Sequence, residues 1–142
     1  MTCYDFSTMN SPSDTPKPCV FCTRAPKETV HEHALAFVTR DSYPLTKGHT
    51  LVVPRRHVQS FFELTAEERA AMVELLAIAK KSLDAEHGPD GYNVGINDGA
   101  AAGQTVMHVH MHLIPRYADD TTDPRGGVRW IFPDRAAYWD KK

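Results

Sequence analysis

The chain lacks any apolar run long enough to cross a membrane. No stretch approaches the roughly 20 apolar residues of a spanning helix, and the start, Met1 to Asp5, has neither a basic region nor an apolar core. We therefore expect neither a membrane span nor a secretory signal peptide. A strong excess of one charge is also missing, because 16 basic and 18 acidic residues give a formal net charge of −2. This balance excludes a general attraction to nucleic acid or to an acidic membrane.

Cysteine is scarce, and three cysteines cannot all pair within the chain. Two of them form the segment Cys19-Val20-Phe21-Cys22, a spacing that suits a metal-binding or redox pair in a reducing compartment. This usage predicts a cytoplasmic location. The chain has 142 residues, of which 42% are hydrophobic and 24% charged, as expected of one globular domain that needs no disulfide bonds.

The composition along the chain predicts one domain behind a loose arm. Residues 1–18 combine serine and proline with scattered polar residues, and we predict a flexible N-terminal arm there. Residues 19–142 show no internal repeat and no second domain. Past Pro115 we expect mostly irregular chain, anchored by apolar residues at 130–132 and 138–139.

One periodic segment and several apolar segments predict the secondary structure. The periodic segment is a helix, because Thr65 and Glu68 form a capping box and apolar residues follow at helical spacing until Gly88. Strands are predicted at 34–38, at 49–53, at 92–96 and from about Thr105. The order strand, strand, helix, strand, strand favours an α+β fold with an antiparallel sheet.

The most informative segment is His108-Val109-His110-Met111-His112-Leu113-Ile114, in which three histidines alternate with apolar residues. A strand sends successive side chains to opposite faces, so we expect three imidazoles on one wet face and three apolar side chains on the buried face. Histidine titrates near neutral pH, and packing does not require three of them in a row. The pattern therefore indicates chemistry.

Three imidazoles on one strand suit two kinds of chemistry. They can share a zinc ion that keeps an open position for water, or one of them can be a nucleophile, since neutral imidazole needs little activation at pH 7. The preceding segment Gly103-Gln104-Thr105 favours the nucleophile, because its backbone, amide and hydroxyl suit phosphate oxygens or a leaving group. A nucleotide-binding module with little turnover remains a third hypothesis.

These residues also match the signature of a known family. The triad segment fits the pattern His-φ-His-φ-His-φ-φ, with φ apolar, at every position. Further agreement is found at Asp41, at 48–57, at 97–99 and at 103–106. Over roughly residues 19–117 the chain resembles the histidine triad nucleotide hydrolases and transferases, closest in look to their diadenosine polyphosphate hydrolase branch. The resemblance implies a five-stranded antiparallel sheet with one long helix and a short one, and a two-fold dimer.

The resemblance also implies roles for individual residues. His110, the middle histidine, attacks the α-phosphorus of a nucleotide and becomes adenylylated, while His49 and His112 polarise the phosphate and Thr105 assists. The expected nucleotide-binding residues are Asp41 for the ribose; Asn97, Gly103, Gln104, Thr105 and His112 for the phosphates and the leaving group; and Val20 and Phe21 for the base.

A structural zinc is implied by part of the same family. Cys19 and Cys22 supply two ligands, and the resemblance adds His57 and His108 as the other two, which completes a tetrahedral set. The alternative is a pair of half-buried thiols without metal. No organic cofactor is expected.

The function implied is hydrolysis of adenosine 5′-phosphate derivatives at the α-phosphorus, with release of AMP. Diadenosine polyphosphates are the favoured substrates; adenosine phosphoramidates, or nucleotidyl transfer to an acceptor, are the alternatives. Outside this class, a zinc hydrolase that uses the three triad histidines and the binding module named above stay open. The expected partners are a nucleotide and a second copy of the chain, with no nucleic acid and no membrane.

Overall fold

The computed structural model of the chain describes residues 4–5, 17–24 and 29–140. The arm predicted at 1–18 lies mostly outside these ranges; its described parts form one short antiparallel pair of strands. In chain order the elements are β1 (Tyr4–Asp5), β2 (Lys17–Pro18), α1 (Val20–Arg24), β3 (Thr29–Glu32), β4 (Ala36–Arg40), β5 (Thr50–Pro54), α2 (Ala66–His87), β6 (Gly91–Ile96), β7 (Met111–Arg116) and α3 (Pro133–Ala136), with 3-10 turns at Phe61–Glu63, Ala100–Ala102, Gly127–Ile131 and Tyr138–Asp140.

The main sheet has five strands in the order β3-β4-β5-β7-β6, and every neighbouring pair is antiparallel. This confirms the predicted α+β fold with a five-stranded antiparallel sheet. The described residues hold one long helix and two short ones, α1 and α3, where the prediction had one long and one short helix. The last strand in sequence, β7, lies between β5 and β6. The strand that carries His112 is therefore hydrogen-bonded on both sides, and His108 and His110 directly precede it.

The long helix α2 begins and ends where local sequence signals place its boundaries. The Thr65 side chain accepts a hydrogen bond from the Glu68 amide, and the Glu68 carboxylate accepts one from the Thr65 amide, so the predicted capping box is present. At the other end Gly88 adopts the left-handed conformation at φ 55°, which glycine reaches without strain.

The two faces of the sheet are covered by different parts of the chain. Strand alternation gives one face to α2, where Val38, Val52 and Leu113 join the main hydrophobic core. The opposite face carries a smaller cluster in which α1 packs against Phe37 and Val53. Because α1 covers only part of this second face, polar side chains occupy the remainder.

The triad strand begins later than predicted. It starts at Met111, not near Thr105, and the Val109 amide donates to the Val58 carbonyl at 2.8 Å, outside the ladder between β5 and β7. The alternation is nonetheless kept, since Val109 and Leu113 are buried. The predicted wet face is wrong for two histidines, because His108 is 0% and His110 only 8% exposed.

The aromatic residues of the C-terminal segment do not anchor it to the main core as predicted. Trp130, Phe132 and Tyr138 are 41%, 61% and 59% exposed. The segment forms its own small core instead, in which Ala136 is fully buried and the Arg125 guanidinium lies 4.6 Å from the Trp139 ring. Among the described residues, no helix is both long and apolar enough to cross a membrane.

Candidate active site and metal centre

Two clusters of side chains that are potential metal ligands include the two ends of the histidine segment. The first, here called the thiol cluster, consists of Cys19, Cys22, His57 and His108, whose ligand atoms all lie within 4.8 Å of one another. The Cys19 Sγ is 3.5 Å from the His108 Nδ1, and the Cys22 Sγ is 3.3 Å from the His57 Nδ1. Both cysteines are present as thiols and not as a disulfide. The structure thus brings together all four predicted metal ligands.

The His108 ring is arranged as a metal ligand. Its Nε2 lies 2.8 Å from the Pro54 carbonyl, and because a carbonyl only accepts, Nε2 must carry the hydrogen. The lone pair is then on Nδ1, the atom that faces the thiols. Burial, with smaller effects from neighbouring histidines, lowers the pKa of His108 to about 4. A neutral imidazole fixed by an outer hydrogen bond is the form that binds zinc.

The second group, here called the carboxylate cluster, consists of Asp41, His49 and His112. The His49 Nε2 is 2.9 Å from the His112 Nδ1 and 3.5 Å from an Asp41 carboxylate oxygen. These side chains lie on the sheet face opposite α2. Asp41 follows β4 and His49 precedes β5, and the Asp41 amide donates to the His49 carbonyl, which holds the two segments together.

Hydrogen positions in the carboxylate cluster follow from one backbone donor. The Leu45 amide donates to the His49 Nδ1 at 3.1 Å, so the hydrogen of a neutral His49 is on Nε2. That hydrogen faces the His112 Nδ1, which leaves the hydrogen of His112 on its own Nε2. Burial lowers the pKa of His49, against the opposing effect of Asp41, and lowers that of His112 to about 4. Both rings are therefore neutral near pH 7.

His110 lies between the two clusters and belongs to neither. Its Nδ1 is 2.9 Å from the His108 carbonyl, so Nδ1 carries the hydrogen and Nε2 keeps a lone pair. Burial lowers the pKa of His110, which keeps the ring neutral. The Phe21 ring lies 5.0 Å away on one side and the His112 ring 5.1 Å away on another.

The loop before the triad contains both exposed and buried members of the predicted phosphate site. Asn97 and Thr105 are exposed, and Gly103 has φ +89°. Gln104 is 4% exposed. Its amide nitrogen donates to the Gln59 and Val106 carbonyls, and its oxygen accepts from the Gly99 amide. Both amide hydrogens are thus used within the protein. The predicted phosphate contact of Gln104 is therefore corrected to a structural role that fixes the loop.

The prediction for the base pocket also needs one correction. Val20 is 46% exposed and available to a ligand, whereas Phe21 is 3% exposed. A ring that is buried against His108 and His110 has no open face on which a base can stack. Phe21 is consequently a packing residue of the site.

Sequence reasoning missed two supporting contacts. One is the Leu45 amide described above, a backbone donor that no side-chain pattern reports. The other is Asp98, whose carboxylate accepts hydrogen bonds from the Ser60 hydroxyl and the Phe61 amide. This contact fixes the loop that carries His57. The Asn-Asp-Gly turn of the sequence was the available signal, since aspartate in such turns commonly binds backbone amides.

The arginines that flank the motifs have partners within the chain. Arg56 pairs with Glu68, Arg116 with Asp120 and Arg125 with Asp123; Arg55 and Arg129 donate to backbone carbonyls. A guanidinium that is already paired with a carboxylate is a weak attractor for a second anion. The guanidinium groups of Arg56, Arg116 and Arg125 are therefore already engaged with carboxylates of the chain.

Comparison with known proteins gives a consistent set of relatives. A family model described as HIT domain matches residues 23–119. An uncharacterized HIT-like protein of Methanocaldococcus jannaschii is 42% identical over 72% of this chain and 81% of its own. The adenosine 5′-monophosphoramidase hnt1 of Schizosaccharomyces pombe is 37% identical over 69% of this chain and 74% of its own. The adenylylsulfatase HINT3 of Arabidopsis thaliana is 33% identical over 72% of this chain and 54% of its own.

Solved structures share the fold. A HIT family protein from Bacillus anthracis superposes with a TM-score of 0.67 at 38% identity, covering 72% of this chain and 75% of its own. A zinc-bound histidine triad family protein from Mycobacterium smegmatis superposes with a TM-score of 0.66 at 33% identity, covering 74% of this chain and 79% of its own.

Proposed function

Because the chain belongs to the HIT domain family, we propose that it is a nucleotide hydrolase that acts at the α-phosphorus of adenosine 5′-phosphate derivatives. The observation that carries the proposal is the state of His110. Its hydrogen is committed to the His108 carbonyl, so a neutral ring presents its Nε2 lone pair. A lone pair on an immobilised neutral imidazole is a nucleophile ready for attack on phosphorus.

The proposed reaction has two steps. In the first, the His110 Nε2 forms a bond to the α-phosphorus, and the bond from phosphorus to the leaving group breaks. A proton is delivered to the leaving group, for which the Thr105 hydroxyl and the His112 Nε2–H are the proposed donors. In the second, water attacks the phosphorus and its proton returns to the donor that lost one in the first step. The P–N bond breaks, and AMP is released with the His110 Nε2 lone pair restored.

The carboxylate cluster supplies neutral donors to this reaction. The His49 Nε2–H is directed at the His112 Nδ1, which leaves the Nε2–H of His112 to stabilise charge on a phosphate oxygen. Asp41 holds His49 through one carboxylate oxygen at 3.5 Å, while its other oxygen accepts from the Tyr43 amide. We also propose that the Asp41 carboxylate accepts hydrogen bonds from the ribose hydroxyls of the nucleotide. Asn97 and the Gly103 backbone complete the proposed phosphate contacts.

Relatives with stated activities narrow the substrate class. One is an adenosine 5′-monophosphoramidase and another an adenylylsulfatase. These names favour substrates in which adenosine 5′-phosphate is joined to a small leaving group. The arginines that are paired with carboxylates support the same substrate class, because a long polyphosphate leaving group calls for available cations. We therefore place adenosine phosphoramidates first. The preference for diadenosine polyphosphates expected from the sequence stays an untested prediction.

We further propose that the thiol cluster holds a structural zinc ion. Two thiols and two imidazole Nδ1 atoms match the ligand preference of zinc, and the His108 lone pair faces the sulfurs. The zinc-bound relative from M. smegmatis supports the assignment. Bound there, the ion would join the N-terminal segment to the histidine segment. The zinc-hydrolase alternative is less favoured, because the clusters found among the described residues separate His108 from His112.

Turnover of a substrate panel tests the function. We suggest an adenosine 5′-phosphoramidate, adenylyl sulfate, diadenosine triphosphate and diadenosine tetraphosphate. The substitution His110→Ala should lower kcat by about 10³-fold or more on every substrate that the wild type uses, and denaturation of the wild type during turnover should trap labelled AMP on His110. His31→Ala is the matched control, since His31 lies outside both clusters with Ser82 as its partner.

Two results would count against the proposal. Equal rates for wild type and His110→Ala would remove the nucleophile, and tight AMP binding with no turnover of any panel member would favour the binding module. The two-fold dimer and the cytoplasmic location remain predictions of the sequence; light scattering and fractionation test them separately.

A further inference from the structure

Phe21 occupies a position that neither cluster explains. It lies on α1 between the two cysteines of the thiol cluster and is 3% exposed. Its ring centroid is 5.7 Å from that of His108, edge-on at 85°, and 5.0 Å from that of His110, tilted by 52°. One side chain therefore touches both a thiol-cluster ligand and the proposed nucleophile.

The His110 ring depends on such contacts for its orientation. Among the described residues, the His110 ring makes one hydrogen bond, from its Nδ1 to the His108 carbonyl. A single bond fixes one atom of the ring and leaves a tilt about that atom. The rings of Phe21 and His112 limit this tilt from two directions. The tilt matters because a displacement of about 1 Å at a reacting atom can lower a rate by about 100-fold.

Phe21 is held in place by the thiol cluster and by a small apolar cluster. The helix α1 has five residues, which is too short to be stable without tertiary contacts. Its contacts are the sulfurs of Cys19 and Cys22, which face imidazoles, and the buried side chains of Phe37 and Val53. The position of Phe21 therefore depends on both sets of contacts.

We infer that Phe21 is a positioning residue that couples the thiol cluster to the orientation of the His110 imidazole. The inference rests on the proposed function for its kinetic consequence, but its structural part stands independently. With a metal ion bound, Cys19, Cys22, His57 and His108 would hold α1 in place. In this position α1 holds Phe21, and Phe21 holds the His110 ring in the orientation needed for attack. Loss of the thiols would reverse this sequence and lower the chemical rate.

A matched pair of substitutions separates this role from ordinary packing. Phe37 belongs to the same apolar cluster, is 1% exposed, and is in no ring contact with His110 among the described residues. Phe21→Leu and Phe37→Leu thus remove the same atoms from the same cluster and should destabilise the fold similarly. On an adenosine phosphoramidate, Phe21→Leu should lower kcat by about tenfold with KM unchanged, whereas Phe37→Leu should leave kcat near the wild-type value.

A spectroscopic readout makes the test independent of turnover. The imidazole signals of His110 are assigned in histidine-labelled protein by their loss in His110→Gln. Phe21→Leu should shift these signals and Phe37→Leu should not. Removing metal from the wild type with a chelator should shift the same signals, and the shift should be much smaller in Phe21→Leu, because the connecting ring is gone.

Each possible result of these experiments either supports the inference or contradicts it. Equal kcat losses in the two leucine variants, or His110 signals that do not respond to Phe21→Leu, would overturn the inference. Chelator shifts of equal size in wild type and Phe21→Leu would show that the thiol cluster acts on His110 by another route, and would also overturn it. If no substrate of the panel is turned over, the proposed function fails, while the His110 signals still decide the positioning role.

Discussion

The thiol cluster and the carboxylate cluster are built on one short segment, at His108 and at His112, yet they differ in partners and in access to solvent. His108 is fully buried and its Nδ1 faces two thiols. The His112 side chain is 21% exposed and its Nδ1 faces His49. A set of two sulfur and two nitrogen donors suits a closed metal site. A partly open set of neutral N–H groups suits a phosphate.

The comparison shows how identical side chains acquire different chemistry. The Pro54 carbonyl fixes the hydrogen of His108 on Nε2, and the His108 carbonyl fixes that of His110 on Nδ1. His112 carries its hydrogen on Nε2 because its Nδ1 accepts from His49. Each tautomer is therefore set by one neighbour, and the role of each ring follows from which nitrogen is left with a lone pair.

The largest effect should come from opening the thiol cluster. Changing both Cys19 and Cys22 to serine removes two zinc ligands and releases α1 from the rest of the fold. We expect loss of bound zinc and a fall in Tm of about 10 °C, corresponding to about 3 kcal/mol. Metal analysis and calorimetry measure the two quantities.

Asp41→Asn provides the contrast, because it alters the carboxylate cluster without touching a thiol. Its zinc content should be unchanged and its Tm should fall by only about 2 °C. Wild-type protein without zinc, or equal Tm losses for the two variants, would remove the distinction between a structural and a catalytic cluster.

The next effect should be kinetic. His49→Phe keeps a ring of similar shape and removes both nitrogens, so the hydrogen of His112 is no longer held on Nε2. We expect kcat to fall by about 100-fold while zinc content stays at the wild-type value. Steady-state kinetics on an adenosine phosphoramidate and metal analysis provide the measurements.

His31→Phe is the matched control, since His31 is half-buried with one hydroxyl partner outside both clusters. Its kcat should equal that of the wild type. A His49→Phe variant that loses zinc would mean that the two clusters are one structural unit. Comparable kcat values in the two variants would contradict the proposed effect of His49 on the hydrogen position of His112.

The parts of the fold that were predictable are those fixed by neighbouring residues. The capping box at Thr65 and the left-handed Gly88 are local signals, and α2 runs from Ala66 to His87 as they require. The start of β7 was not predictable in this way. Residues 105–110 look like a strand, but the Val109 amide binds the Val58 carbonyl, 51 positions away in the sequence. A local pattern does not specify such a partner.

The candidate site shows the same difference between features that the sequence pattern specifies and features that depend on tertiary contacts. The spacing of Cys19 and Cys22 predicted half of the thiol cluster. The resemblance to a family added its two histidines and named the three residues of the carboxylate cluster, because their types and spacing are kept. It did not reveal that Gln104 is committed to backbone groups or that Phe21 is buried between two histidines. Both depend on which side chains meet after folding, and amide or aromatic character alone suits either a ligand contact or a protein contact.

The smallest effect should be on stability at low pH, and it concerns the carboxylate cluster. Burial, then the nearby His110 and His49, lowers the pKa of His112 to about 4 from its ordinary value of 6.5. Below pH 6.5 the unfolded chain therefore binds a proton that the folded chain does not. Stability is fully present above pH 6.5 and declines as the pH falls toward 4, with His112 responsible for about 1–2 kcal/mol by pH 5.

His112→Gln removes this contribution, so the difference in unfolding free energy between wild type and variant should narrow as the pH is lowered from 7 to 5. Denaturant unfolding at a series of pH values measures the difference, and His31→Gln controls for the loss of one histidine elsewhere. A difference for His112→Gln that stays constant across this range would mean that His112 takes up its proton as readily in the folded chain as in the unfolded one. The carboxylate cluster would then hold a charged ring, and the neutral N–H donor that separates it from the thiol cluster would be lost.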